Sequence, residues 1–360
     1  MGTMTHIAGR AAFSKAVDIV LKNADKDREK EITKLVDLME KYMGSEKIDV
    51  DYNKVKELIC DKDKTLNKYI NRLLDEINPH VLKTTALNLG YEAFFHGTKT
   101  IRKMREVHDC NVPWLILMDP TSACNLHCTG CWAAEYGNKL NLTFDEMDSV
   151  ITQGKELGIY LYMFTGGEPL VRKEDIIKLC KKHSDCAFLA YTNGTLVDEK
   201  LCEQMVEVGN FYLAISLEGF EAVNDLRRGN GVYGKVMHAM ELLKQYGLIF
   251  GTSICYTSKN IETVTSDEFV DLMVEKGCRY AFYFHYMPVG NDAAVELLPT
   301  MQQRIYMKDR VRQIRNMKDG KGIFTMDFQN DGEYVGGCIA GGRNYFHINA
   351  NGDAEPCVFI

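Results

Sequence analysis

The 360-residue chain is long enough for one core of barrel size, with residues left over for appended pieces at both ends. Its 46% apolar and 26% charged residues make an ordinary globular composition, and a formal charge of -7 argues against a protein built to grip a phosphate backbone, so nucleic acid is not an expected partner. Twelve cysteines in a chain that shows no secretion signal and no apolar run of bilayer length predict a cytoplasmic protein without a transmembrane segment, whose clustered thiols serve a metal rather than disulfides.

Residues 1–108 read as a helical N-terminal region. Phe13, Val17, Val20 and Leu21, then Ile32, Leu35, Val36, Leu38 and Met39, recur at helical spacing between charged residues. A second stretch through Leu58, Ile59, Leu66, Tyr69, Ile70, Leu73 and Leu74 ends at Asn78-Pro79, which breaks or restarts the helix. The aromatic patch Tyr91, Phe94 and Phe95 has the spacing of ordinary helix packing.

From Pro113 short apolar runs alternate with amphipathic helical segments, the texture of a parallel sheet wound with helices. The runs are Trp114 to Met118, Tyr160 to Phe164, Ala187 to Tyr191, Phe211 to Leu217, Ile249 to Tyr256 and Tyr280 to Tyr286. Six strand-helix units are too few for a full eight-stranded barrel, and no glycine-rich dinucleotide fingerprint follows the first strand. The expected fold is therefore α/β, a partial (β/α)6 TIM-like barrel over 109–320. A small extension over 321–360 follows, rich in Gly and Asn from Gly336 on and carrying two more cysteines.

The first predicted strand ends in MDPTSACNLHCTGCW, which puts Cys124, Cys128 and Cys131 in the loop at its C-terminal end. Soft sulfur ligands select zinc, copper(I) or iron–sulfur clusters, and a closed zinc site wants four ligands. A local fourth is missing. On spacing alone a zinc loop or a redox pair stays open as an alternative. Three thiolates on a cubane cluster leave one iron without a protein ligand, and an open metal position marks a reactive site.

Three Cys in C-x3-C-x2-C spacing after the first strand, with Thr165-Gly166-Gly167-Glu168-Pro169 closing the second, resemble the radical SAM superfamily. The resemblance implies a [4Fe-4S] cluster on Cys124, Cys128 and Cys131, the catalytic thiolates, with S-adenosylmethionine chelating the open iron. It further implies reductive cleavage of that cofactor to a 5'-deoxyadenosyl radical that abstracts hydrogen from a substrate, the electron coming from a flavodoxin- or ferredoxin-type donor. Gly166, Gly167 and Glu168 would bind the cofactor, the glycines by letting backbone approach it and Glu168 by accepting from its ammonium group. Weaker matches in YTNGTL, AISLEGF and NDLRRGNGVY imply that Asn193 lies near the cofactor, that Ser216 faces its ribose and that Arg228 or Arg227 pairs with its carboxylate. Taken without the resemblance, these residues read as a type I' turn, a core hydroxyl and a surface ion pair. Glu218 stands where relatives often carry Asp. Gly130 stands where they often carry an aromatic residue, so cover for the adenine must come from elsewhere. His285 and Tyr286 are candidate pocket residues.

The tail from Cys338 to Cys357 resembles the opening of a SPASM or twitch extension, which implies that these two cysteines bind an auxiliary iron–sulfur cluster. The run YFHINANGD between them reads as a hairpin turning at Asn351-Gly352. The chain stops three residues after Cys357, where such relatives continue, so the extension reads as truncated. Cys60, Cys110, Cys180, Cys186, Cys202, Cys255 and Cys278 read as buried small hydrophobes. The expected function is a radical SAM reaction in peptide or protein maturation. Radical modification of a lipid or other small molecule, and a non-catalytic iron–sulfur or zinc scaffold or electron carrier, are the alternatives.

Overall fold

A computed structural model describes residues 3–43, 51–133, 137, 139–290, 293–316 and 321–359. Its centre is one nine-stranded sheet in the order β7-β6-β5-β4-β3-β2-β1-β8-β9. The strands are β1 (Leu115–Met118), β2 (Leu161–Phe164), β3 (Ala187–Thr192), β4 (Phe211–Ser216), β5 (Phe250–Tyr256), β6 (Tyr280–His285), β7 (Phe324–Asp327), β8 (Tyr345–Ile348) and β9 (Ala354–Glu355). The first eight all pair in parallel, and β9 returns antiparallel on β8. The six apolar runs are the first six strands, each within about two residues.

The six strands expected over 109–320 are present, and two further parallel strands from the segment after residue 320 join the edges of the sheet. Strand β7 is only four residues long, Phe324-Thr-Met-Asp, and lacks the continuous apolar run that marks a strand buried on both faces. The expected hairpin is present as β8 and β9, but its first arm also adds to the free side of β1, with Leu115 opposite Tyr345 and Met118 opposite Ile348. Asn349 turns it, its side chain accepting from the N–H groups of Asn351 and Asp353. The sheet is not closed by backbone pairing between β7 and β9.

Because successive strand residues point to opposite faces, the strands divide their side chains between two cores. Ile116, Met118, Tyr162, Phe164, Phe188, Leu213 and Ile215 point outward into the large core under the helices. Leu115, Leu117, Leu161, Leu189, Tyr212, Tyr280 and Tyr345 point inward. The outer layer is α6 (Phe144–Glu156), α7 (Lys173–Lys182), α8 (Glu199–Val208), α9 (Glu221–Arg228), α10 (Val232–Gln245), α11 (Ile261–Val264), α12 (Asp267–Glu275) and α13 (Met301–Asn316), while α1 to α5 belong to the N-terminal region. Helix α6 starts at a capping box, Thr143 receiving the Glu146 N–H while Glu146 accepts from the Thr143 N–H.

The N-terminal region consists of α1 (Thr3–Met43), α2 (Tyr52–Cys60), α3 (Thr65–Glu76), α4 (Pro79–Thr85), a π-helical stretch Ala86–Gly97 and α5 (Thr98–His108). It covers the end of the barrel where the strands begin. Asn88 donates to the Cys186 carbonyl just before β3, the Asn78 N–H to the Gly247 carbonyl before β5, and Arg72 to the Gly322 carbonyl before β7. The Arg279 guanidinium at the start of β6 lies 2.7 Å from Glu76 of α3. Gly97 has to be glycine, because a Cβ there would come within 2.5 Å of the Gly158 carbonyl oxygen. The aromatic patch is only partly packing: Tyr91 is buried, whereas Phe94 is 52% exposed and rests on Trp114. No described helix is long and apolar enough to cross a membrane.

Candidate functional site

At the opposite end of the barrel, where the strands finish, the loop after β1 is held by three neighbours. Its return leg pairs with it, Ser122 N–H to the Leu140 carbonyl and Leu142 N–H to the Pro120 carbonyl. The turn after β2 docks beneath it, Gly167 N–H to the Thr121 carbonyl at 3.0 Å and Glu168 N–H to the Ala123 carbonyl at 2.8 Å. The C-terminal end of α9 meets it from the side, where the Arg227 carbonyl accepts from the Thr129 N–H. Cys124, Cys128 and Cys131 project from this loop into a cavity of about 990 Å³ that occupies the barrel interior. The same wall carries Gly166, Gly167, Glu168, Asn193, Ser216, Arg227 and Arg228, so residues spread over a hundred positions of sequence share one chamber.

The glycine turn packs closely against the cysteine loop. Gly166 sits at φ +99, and a Cβ on it would meet the Thr121 carbonyl at 2.6 Å. A Cβ on Gly167 would lie 2.2 Å from the Ala123 carbonyl. What these glycines admit is the backbone of the cysteine loop, and their first task is to fix where the three thiols stand.

Glu168 is 1% exposed. Its Oε1 accepts from the Thr192 hydroxyl at 2.6 Å and the Leu170 N–H at 2.9 Å, and its Oε2 from the Asn193 N–H at 2.7 Å. Burial pushes this carboxyl up, and those donors pull it back toward the ionised form. A carboxylate offers about four acceptor positions, so one on Oε2 is left for a further donor. Asn193 contributes its backbone N–H here. Its side chain turns to Asn125 of the cysteine loop and to Thr195.

The arginines are not surface groups, and both are engaged by a buried carboxylate. Arg227 and Arg228 both donate to Oε1 of Glu218, at 2.7 and 2.5 Å, and Glu218 accepts through Oε2 from the Cys255 N–H. Glu218 is buried, and the role that its sequence position left undefined is to anchor both guanidinium groups beside the cluster loop. Arg228 also reaches the Cys128 sulfur at 4.0 Å. Burial pushes the Cys128 thiol up while both arginines oppose it, and the Cys124 thiol is likewise raised by burial. A metal displaces such protons on binding, so loading this site releases them.

Sequence reasoning missed several wall residues. Thr192 holds Glu168, and Cys255, Met163, Tyr191, Phe282 and Phe284 line the cavity from the inward positions of β2, β3, β5 and β6. The signal was available: counting by twos along each strand from Ser216-type positions reaches them. Cys255 therefore does more than fill space. His285 and Tyr286 both line the wall, with His285 held neutral at a pKa of about 4, chiefly by burial. Tyr286 packs against the cysteine loop at Gly130, where a Cβ would lie 2.5 Å from its hydroxyl.

Cys338 and Cys357 do not line this cavity. Cys338 is exposed and Cys357 half-buried, and the hairpin brings Cys357 within 3.7 Å of the Tyr345 hydroxyl. Burial and the nearby charges of Cys357 and Cys338 raise the Tyr345 phenol.

Among the described residues, the group of three or more metal-ligating side chains gathered within 4.8 Å is His6, Glu92 and His96, in the N-terminal region. The guanidinium of Arg10 already lies 2.7 Å from Glu92 there, and His6 stacks on His96. The three loop cysteines are not drawn to single-ion spacing. Their soft donor set, spread around an open chamber, fits a cluster of several metal atoms better than a lone zinc ion.

The pattern of the radical SAM superfamily matches residues 118–279, from the end of β1 to the start of β6. Fe-coproporphyrin III synthase of Methanosarcina barkeri is 24% identical over 233 residues, covering 61% of this chain and 57% of the relative. PqqA peptide cyclase of Granulibacter bethesdensis is 26% identical over 258 residues, covering 68% and 67%. The chain spans about 57% of the length of the first curated relatives it matches. The crystal structure of Streptococcus suis SuiB bound to the precursor peptide SuiA shares the fold, with a TM-score of 0.58 at 18% identity over 78% of this chain and 65% of that one. The matched segment lies over the cysteine loop, the glycine turn and the strands that carry most of the cavity wall, so this site falls within the part of the chain that is similar to the radical SAM superfamily.

Proposed function

We propose that the chain is an enzyme that uses a [4Fe-4S] cluster on Cys124, Cys128 and Cys131, with S-adenosylmethionine, to begin a radical reaction on a substrate held in the barrel. When bound, this pair supplies reductive cleavage of a carbon–sulfur bond and abstraction of a substrate hydrogen. The observation that carries the reading is the convergence of the three thiols, the Glu168 carboxylate and the arginine pair on one chamber.

The chain's own residues have distinct tasks in it. The three cysteines ligate. Glu168, prealigned by Thr192, Asn193 and Leu170, offers its remaining Oε2 position to the cofactor's ammonium group. Glu218 keeps two cations beside the anionic thiolates without leaving either unpaired. Tyr286 over Gly130 and Trp132 on the cavity wall exclude water from the upper end. Ser216, which lines the cavity at the end of β4, is proposed to meet the ribose. Cys338 and Cys357 are proposed as ligands of an auxiliary cluster, with an external flavodoxin- or ferredoxin-type donor supplying the electron.

For the substrate, likeness to a peptide cyclase and to a fold solved with a precursor peptide supports a peptide. The cavity wall favours a second reading, an apolar substrate. Burying one unpaired amide costs about 1–3 kcal/mol, whereas each buried methylene contributes about 0.8 kcal/mol. The test of the reaction itself is anaerobic reconstitution, reduction and assay for 5'-deoxyadenosine. Absence of the nucleoside from protein with a full complement of iron would return the chain to the scaffold or electron-carrier reading.

A further inference from the structure

The two halves of the barrel cavity differ in kind. The charged groups on its wall, Glu168, Arg227 and Arg228, stand at the upper end and are engaged by protein. Below the level of Met163, Tyr191 and Phe284 the wall is hydrocarbon and ring faces, down to a floor of Leu73, Leu82 and Leu89 on the N-terminal helices. Tyr212 donates to Thr85 Oγ1 and Tyr280 to the Leu213 carbonyl, which leaves Tyr69, Ser253 and Asn344 as the few polar side chains on a wall that is otherwise apolar. Val335, in the segment after β7, reaches the surface and gives the rim an apolar residue, while Phe94 and Phe324 reach it at the end where the strands begin.

A ligand taken into this lower half meets no free cation and few free hydrogen-bonding groups. A peptide backbone would bring an N–H and a carbonyl with every residue, which such a wall cannot pair. Carboxylates would need a guanidinium, and both are bound to Glu218. A hydrocarbon chain asks only for enclosure.

Resting on the assignment of the upper end to the cluster and its cofactor, we propose that the lower cavity binds the hydrocarbon chain of a lipid, threaded past the rim at Val335 with its reacting carbon beneath the cysteine loop. The chain lies along the barrel axis and ends at Leu82 and Leu89. Recognition is by length and by the absence of charge, so the substrate class is a long acyl or isoprenoid chain.

The test uses the full chain, anaerobically reconstituted, with the neutral fluorophore N-phenyl-1-naphthylamine as probe and primary alcohols from hexanol to tetradecanol as competitors. Displacement should strengthen by up to about fourfold per added methylene until the floor is reached. Leu89→Arg should weaken the longest alcohols tenfold or more, and Leu82→Phe, which keeps the floor apolar should the arginine variant fail to fold, should move the plateau to shorter chains. An affinity that does not depend on chain length, or uncharged peptides that displace the probe as well as the long alcohols do, would overturn the proposal. S-adenosylmethionine cleavage is assayed on the same preparation. Cleavage with a flat alcohol series defeats the lipid chain alone, and a steep series without cleavage defeats the reaction reading.

Discussion

His347 Nε2 lies 2.9 Å from Asp119 Oδ1, while its Nδ1 lies 2.8 Å from Glu355 Oε2. The imidazole is fully buried, and the two carboxylates outweigh burial to raise its pKa. One ring thus ties the β8–β9 hairpin to the residue that opens the cysteine loop. Replacing His347 by Leu leaves Asp119 buried without its partner and should cost about 3–5 kcal/mol. Urea denaturation of the two proteins checks this, and an unchanged midpoint would show that the bridge contributes nothing.

The three loop cysteines are expected to act together. Changing any of Cys124, Cys128 or Cys131 to Ala should reduce 5'-deoxyadenosine formation by reduced, reconstituted protein to background. Undiminished nucleoside from the triple variant would remove the basis of the proposed reaction.

Glu168→Gln should weaken S-adenosylmethionine binding by roughly ten- to a hundredfold, the loss of one charge-assisted hydrogen bond of about 1.5–3 kcal/mol. It should also lower stability, because the amide NH2 would face one of three donors that now point at a carboxylate. Thr192→Val separates the effects: it removes a support of Glu168 and leaves the charge in place. Equal cofactor affinity in wild type and Glu168→Gln by titration would show that the carboxylate does not meet the ammonium.

Glu218→Gln should release Arg227 and Arg228 into a buried space with no full negative charge, costing about 3–5 kcal/mol and loosening the wall beside Cys128. Thermal unfolding reads the first effect and iron retained after gel filtration the second.

Much of this was legible in the chain and some was not, for definite reasons. Six strands announced themselves because strands buried on both faces are continuous apolar runs. The loop cysteines and the glycine turn were legible as local patterns. The pairing of Glu218 with Arg227 and Arg228 was not, since it depends on α9 folding back over the end of β4. The use of Gly166 and Gly167 against the Thr121–Ala123 backbone was equally hidden, because it joins two strand ends that only the sheet brings together. The place of β8 beside β1 was invisible because a hairpin signal says nothing about what lies on its far side.

His96 makes a pH prediction. It faces His6 and Arg10 of α1, Glu92 of its own helix, Lys99 and the ring of Tyr160, and burial, with His6 and Lys99, lowers its pKa to about 4. An unfolded histidine takes its proton near 6.5, so the unfolded chain binds more protons over that interval. Stability is therefore fully present above about pH 6.5 and is lost as the pH falls toward 4, with His285 adding in the same sense. Urea midpoints between pH 7 and pH 5 should fall, and less so in His96→Phe. A midpoint independent of pH in both proteins would contradict it.

The tail cysteines are tested by iron analysis of the Cys124, Cys128, Cys131 triple-Ala variant. Cys338 and Cys357 alone should hold substoichiometric, labile iron, since a complete cubane site takes four thiolates. Iron that survives the further loss of Cys338 and Cys357 would show that neither is a ligand.

The two outer edges of the sheet face one another across a seam that no ladder hydrogen bonds bridge, and the contact recorded there is between the rings of Phe328 and Tyr345, 6.4 Å apart. All seven boundaries between neighbouring parallel strands are stitched by backbone, whereas the seam between the outer strands β7 and β9 carries no strand pairing among the described residues. What meets there is side chains, Phe328 and Tyr345 with Ile339, Ala340 and Val358 in the same apolar cluster. At this one seam the girth of the chamber is therefore set by packing and not by a backbone ladder.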